Sequence, residues 1–201
     1  MTTRRILELG GIAAGILMVA FGVASLVLGI NARSTVGDQL KQELIVGSPD
    51  MKPAEIAKAI TEAGLSNVPI PSCDVAEKEI KSGTDARCFA QYMRIHALES
   101  SGGNTYAQMG RFVASANPND PKGTSDEAAA AKDASGKPVS NGARNTWVTE
   151  TALTTALNVS YMAEQIGLFS VVVGIALVLS GIGFIILALV AVGGGRKPLA
   201  S

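Results

Sequence analysis

Histidine and tryptophan each occur once in this 201-residue chain, as His96 and Trp147, and cysteine occurs twice, as Cys73 and Cys88. These scarcities exclude whole classes of chemistry. A structural zinc site wants about four nitrogen or sulfur ligands, and Cys73, Cys88 and His96 are all the chain offers. Non-haem iron oxygenases of the common kind need two histidines and a carboxylate. The C-x-x-C-H run that attaches haem is missing, as is the G-x-S-x-G turn of serine hydrolases. No G-x-x-x-x-G-K phosphate loop and no basic stripe occurs, and the formal net charge is zero; nucleotide and nucleic-acid binding are not expected. No metal and no cofactor is therefore expected, and the chain reads as a non-enzyme. Aromatic residues make up only 4%, and the alternation of branched and aromatic residues that marks strands is nearly absent. The fold class that remains is all-α.

Charge is missing from two long apolar runs, Gly10 to Ile30 and Gly167 to Val192. A helix rises about 1.5 Å per residue, so each run can cross a hydrocarbon core of about 30 Å. The expected layout is a tail (1–9), a first transmembrane helix (10–30), an outer domain (31–166), a second transmembrane helix (167–192) and a tail (193–201). Charged residues are 17% of the chain, low for a soluble domain. Residues 31–166 carry 13 Lys/Arg against 16 Asp/Glu, a net of −3. The tails carry Arg4, Arg5, Arg196 and Lys197 against Glu8, a net of +3. Basic flanks stay on the cytoplasmic side, so both termini are expected inside and the domain between the spans outside. Arg33 and Lys41 oppose that orientation. The first run is too long for a usual signal-peptide core and lacks a small-x-small cleavage site, so it is expected to stay as an anchor. With no cysteine near the N-terminus, a lipoprotein anchor is not expected. In an oxidising outer compartment Cys73 and Cys88 are expected to pair. An ion path or proton relay usually needs an ionisable group in the membrane, and neither run has one.

Between the spans the pattern is helical. Val36, Leu40 and Leu44 recur at intervals of four and carry the first helix past the membrane, until Gly47, Ser48 and Pro49 end it. Asp50 is a candidate cap for a helix with Pro53 in its first turn, Gly64 at its end, and Ile56, Ala59, Ile60 and Ala63 on its apolar face. Asn67 to Ser72 (NVPIPS) is an extended, proline-rich joint. Asp74 to Lys81 reads as a short charged helix, Asp85 to Ser100 as the strongest outer helix, and Thr105 to Ser115 as a further one. Residues 117–142 have three prolines and almost no large apolar residue; they read as a flexible excursion with one helical turn at Ser125 to Lys132. Val148, Ala152, Thr155, Val159, Met162 and Ile166 form a heptad stripe on one continuous helix from about Arg144 to Val192.

Small residues recur at intervals of four in both spans: Gly11 with Gly15, Ser25 with Gly29, Ser170 with Gly174, Ala176 with Ser180. Such spacing lets helix backbones approach closely in lipid, within the chain or toward a partner; ordinary glycine usage in membrane helices is the plainer explanation. Phe89, Tyr92, Met93 and His96 share a helix face, of which Phe89, Tyr92 and His96 are a candidate ligand or partner surface. For His96 the alternative is a satisfied, partly buried histidine on that face. An enzyme would have to centre on His96 with Glu99 or Asp85. Trp147 lies too far from the second run for an interface belt and is expected to pack on the outer domain, with a partner contact as the alternative.

The segments MTTRRILELGGIAAGILMVAFGVASLVLGINARSTVGDQLKQELIVGSPDM, ARCFAQYMRIHALESSGGNTYAQMGRF and TWVTETALTTALNVSYMAEQIGLF resemble a family of two-span membrane proteins from actinobacteria. Some members carry the label aromatic-ring-opening dioxygenase; a single histidine does not support it here. The resemblance implies a plasma-membrane protein with an oxidising outer face. It supplies no activity and no catalytic residue. The expectation is a two-transmembrane helical hairpin with a small disulfide-stapled helical cap. It would be an accessory or assembly subunit, partnered by the lipid bilayer and by a membrane protein or a second copy, in an envelope or respiratory complex. The alternative is an extracytoplasmic sensor that binds a small molecule or lipid.

Overall fold

A computed structural model describes residues 3–193, with side chains from 5 to 190. The tail residues Arg4, Arg196 and Lys197 lie outside the described side chains. Four α-helices form: α1 (Thr3–Gln42), α2 (Pro53–Glu62), α3 (Gly83–Ser100) and α4 (Gly142–Gly193), with a 3-10 turn at Tyr106–Gln108. Among the described residues there is no β-strand, only isolated bridges. α1 and α4 are each long and apolar enough to cross a membrane. Contacts divide the chain into two compact units, 1–35 with 163–201, and 36–162.

In the first unit, α1 and α4 pack antiparallel along a seam of glycines. A Cβ added to Gly15 would lie 2.6 Å from the Gly181 carbonyl oxygen; one on Gly22, 2.8 Å from that of Gly174; one on Gly29, 2.5 Å from that of Gly167. Five of these six glycines receive a branched side chain from the other helix. Val19 and Leu26 sit over Gly181 and Gly174, while Ile185, Val178 and Val171 sit over Gly15, Gly22 and Gly29. The seam thus recurs every seven residues on both helices, the period of left-handed packing. At one end Arg33 covers Gly167 and pairs with Glu164 at 3.6 Å. The large side chains point the other way: Phe21, Leu28, Phe169, Leu179 and Leu187 are each about two-thirds exposed.

Of the eight small residues picked out by four-residue spacing, Gly15, Gly29 and Gly174 lie in the seam and Gly11 meets Ala188. Ser25 and Ser170 are partly covered, and Ala176 and Ser180 face outward. The seam period is seven, so a spacing of four alternately lands on it and misses it. Gly22, Gly167 and Gly181 were missed for the same reason.

The second unit buries Ile56 and Ile60 of α2, Tyr92 and Ile95 of α3, and Val75 and Ile80 of the segment between them. Pro53 opens α2 and Gly64, at φ +65°, closes it. Lys52, not Asp50, occupies the N-cap position; the Asp50 carboxylate accepts from Ser48 Oγ instead. Val36 and Leu40 are buried as expected, but Leu44 lies past the end of α1, at φ +53° and 77% exposed.

Residues 74–81 are not helical. Glu77 adopts φ +55°, which breaks a helix, and the segment lies extended beside residues 45–51. Gly47 donates to the Lys78 carbonyl and accepts from Glu77 N–H, and Ile80 N–H donates to Ile45. A side chain on Gly47 would collide with the Val75 carbonyl. Ser82 caps α3 by accepting from Asp85 N–H at 3.1 Å, and Gly102 and Gly103, both at positive φ, follow its end. Cys73 and Cys88 form a disulfide with Cα atoms 6.1 Å apart.

The helix expected over Thr105 to Ser115 shrinks to the single 3-10 turn, and no helical turn forms at Ser125 to Lys132. Residues 110–141 instead pair backbone to backbone. Phe112 and Thr124 exchange both bonds, Ala131 N–H donates to Val113, and Val113 N–H donates to Val139. At the tip the Asp133 carboxylate accepts from Ser135 Oγ and from the Ser135 and Lys137 N–H groups. Those bonds, the Ser135 hydroxyl first, hold it below the usual carboxylate range. Asn141, 4% exposed, ties the segment to α4: its amide donates to the Gly110 and Pro121 carbonyls and its Oδ1 accepts from Ala143 N–H. Short polar side chains and carbonyls hold this segment, so no apolar periodicity announces it.

The heptad stripe on α4 faces outward. Val148, Val159, Met162 and Ile166 are half to three-fifths exposed, while Trp147, Glu150 and Leu157 form the buried side. The apolar period is present on both faces of this helix, so periodicity alone does not choose between them.

Two substitutions test this packing. Gly22→Leu overfills the seam and is expected to lower stability in detergent micelles by about 2 kcal/mol. Gly10→Leu and Gly183→Leu, where a Cβ meets nothing, are expected to stay within about 0.5 kcal/mol. Thermal unfolding checks the contrast, and equal losses at all three sites contradict the seam. Replacing both cysteines with serine opens a ring of 15 residues' separation. It is expected to cost the second unit about 3 kcal/mol, read in the same way.

Candidate functional site

The α3 face proposed from the sequence is divided by the fold. Tyr92 is fully buried and its hydroxyl donates to the Cys73 carbonyl at 2.6 Å, so it anchors the disulfide segment and presents no surface. Burial, with the negative charge of Asp74 adding to it, pushes its phenol above the ordinary value. Phe89 and Met93 are half-buried.

His96 is one-third exposed and lies between two carboxylates. Its Nδ1 is 2.8 Å from Glu99 Oε2, and its Nε2 is 3.3 Å from Asp50 Oδ2. The second contact is within ion-pair distance but is not aligned as a hydrogen bond. Glu99 is the acid expected from the sequence. Asp85 is not at the site, because it accepts from Ser82 Oγ at the α3 cap. Asp50 joins from the turn before α2, a neighbour no helical spacing could reveal. Because the carboxylates take opposite ring nitrogens, the three groups do not converge on one point as metal ligands must. Among the described residues no cluster of three or more His, Cys, Asp or Glu suits a metal ion.

Trp147 is 4% exposed and packs with Ala97 and Met109, so it is core, not surface. The Arg94 guanidinium stacks on its ring at 4.1 Å from the centroid. Such a contact is worth about 0.5–2 kcal/mol. The same guanidinium donates to Glu150 Oε2 at 3.1 Å. Glu150 is 4% exposed, and its other oxygen, Oε1, is buried and accepts no hydrogen bond from the protein. A buried acceptor left in that state costs about 1–3 kcal/mol, more when charged.

Glu150 lies beside two cavities. The larger, about 640 Å³, is a groove between the NVPIPS strap (Asn67 to Ser72) and the faces of α3 and α4, with Ile95 and Leu98 on one wall and Thr154 and Asn158 on the other. The smaller, about 490 Å³, lies on the His96 side, against Ser100 and Leu153. The sequence marked His96 and missed the Arg94–Glu150 pair, whose partners are 56 residues apart. The signal available was an acid placed among apolar positions of a long helix.

The raised Tyr92 phenol makes stability pH-dependent. The folded unit favours the neutral form, so this contribution is complete below about pH 10, the ordinary tyrosine value, and is lost as pH rises through the higher folded value. Near-ultraviolet circular dichroism is expected to show stability falling above about pH 10, and less steeply in Tyr92→Phe. Identical alkaline profiles would contradict this assignment. No protein-family model, curated protein or solved structure matches this chain, and the chemistry of the site rests on its own residues.

Proposed function

We propose that the chain is a two-span plasma-membrane protein, a helical hairpin carrying residues 31–166 outside the cell as a stapled docking cap for another envelope membrane protein. The carrying observation is the inside-out build of α1 and α4, with glycines buried in the seam and large apolar side chains outward. Only 11% and 17% of their most apolar windows is buried, the reverse of a core helix in a water-soluble protein. Lipid is the solvent in which such a surface is stable, and close backbone approach is how apolar helices associate there. The charge asymmetry favours both termini inside. A disulfide accords with an oxidising outer compartment, as does the resemblance to actinobacterial two-span proteins.

A non-enzymatic role is supported by what the side chains already do. Tyr92 and Trp147 are spent on packing, and both nitrogens of His96 face carboxylates. What remains is a rigid cap with a groove, suited to an accessory or assembly subunit. The second reading, a sensor for a small molecule or lipid, is favoured by the groove volume alone.

Crosslinking in intact cells, followed by purification in mild detergent, tests the docking role. A stoichiometric membrane-protein partner or a defined homo-oligomer is expected. Recovery of an uncrosslinked monomer would contradict it.

A further inference from the structure

The groove beside Glu150 carries its own signature of what it takes. No residue from 66 to 72 makes a backbone hydrogen bond within the protein. Pro69 and Pro71 have no N–H to give, but Val68, Ile70 and Ser72 do, and all line the groove. A residue before proline is held extended, so Val68 and Ile70 are fixed in the conformation of a strand edge. The wall is therefore a pre-extended segment in which unpaired amides alternate with prolines.

Across the groove, Ile95 and Leu98 give an apolar surface, and Glu150 keeps one buried carboxylate oxygen without a donor. Arg94 neutralises the other oxygen while remaining 46% exposed, so its side chain can give way as a donor enters. Unpaired backbone amides call for the amides of another chain. Apolar walls call for alternate apolar side chains, and Glu150 for one basic side chain among them. A free amino acid or simple amine could satisfy Glu150 but could not pair along the strap.

We infer that this groove binds an extended polypeptide segment, which pairs with the Val68–Ser72 strap and directs a basic side chain at Glu150. This inference rests on the docking role proposed above and names the chemistry of the partner.

The full-length protein in phospholipid nanodiscs, with its disulfide intact, is titrated with a fluorescein-labelled acetyl-Val-Lys-Val-Lys-Val-amide peptide and read by fluorescence polarisation. Saturable binding is expected. It should weaken at least tenfold when alternate backbone amides of the peptide are N-methylated, and at least tenfold in Thr154→Trp, which fills the groove and leaves the strap and the Arg94–Glu150 pair in place. Glu150→Gln should remove the preference for lysine over norleucine in the peptide. Circular dichroism and an intact disulfide establish that each variant is folded. No saturable binding, equal binding of the N-methylated peptide, or undiminished binding to folded Thr154→Trp would overturn the inference. In cells, a partner crosslinked equally well by Thr154→Trp would sink the groove assignment while leaving the docking role standing. A chain that yields no partner with or without the substitution would sink the docking role itself.

Discussion

The structure depends on how closely two helix backbones can approach. In water, apolar helices associate by burying large side chains. Here the buried positions of the first unit are glycines and Ala188, and the bulk of leucine, phenylalanine and valine faces away. The attraction along such a seam comes from dispersion and backbone contact, which weaken quickly once the helices separate. Gly15, Gly22 and Gly29 against Gly181, Gly174 and Gly167 leave no room for even one methyl group. The seam therefore sets register as well as distance, because a shift by one residue would bring a branched side chain into the gap.

The second unit is stable by different means. Its apolar core is modest, and much of its order comes from covalent and polar fastening. The disulfide joins the start of α3 to the strap segment, and the Tyr92 hydroxyl bonds to the carbonyl of Cys73 itself. Asn141 donates to two loop carbonyls and caps α4 with one side chain. Glu150 stands apart from this economy. Its half-paired carboxylate leaves one buried oxygen without a donor beside the groove. Incomplete satisfaction of a buried charge is costly for folding, which is why the groove, and not His96, carries the inference about a partner.

Much of this was legible in the sequence. The two apolar runs, the cysteine pair, α2 with its proline start and glycine end, α3, and the unbroken α4 all follow from local rules of composition and capping. What escaped was tertiary in origin. Residues 74–81 have helix-forming composition, yet Val75 and Ile80 are needed in the core together, and their spacing of five fits no helix face. The backbone pairing of 110–141 is held by Asn141 and Asp133 through groups that carry no periodicity. The stripe from Val148 to Ile166 lies on the exposed side of α4 while Trp147 and Leu157 are buried, a choice of face that the heptad period does not encode. The seven-residue glycine recurrence was present in the letters but hidden by the more familiar spacing of four.

That lipid surrounds the outward faces of α1 and α4 is the central claim, and collision accessibility of spin labels measures it most directly. Labels on single cysteines placed at Leu28 and Leu179, with the native disulfide intact and the protein in nanodiscs, are predicted to collide readily with oxygen and scarcely with a water-soluble nickel complex. Ready collision of both labels with the nickel complex would mean that water, and not lipid, bathes these helices.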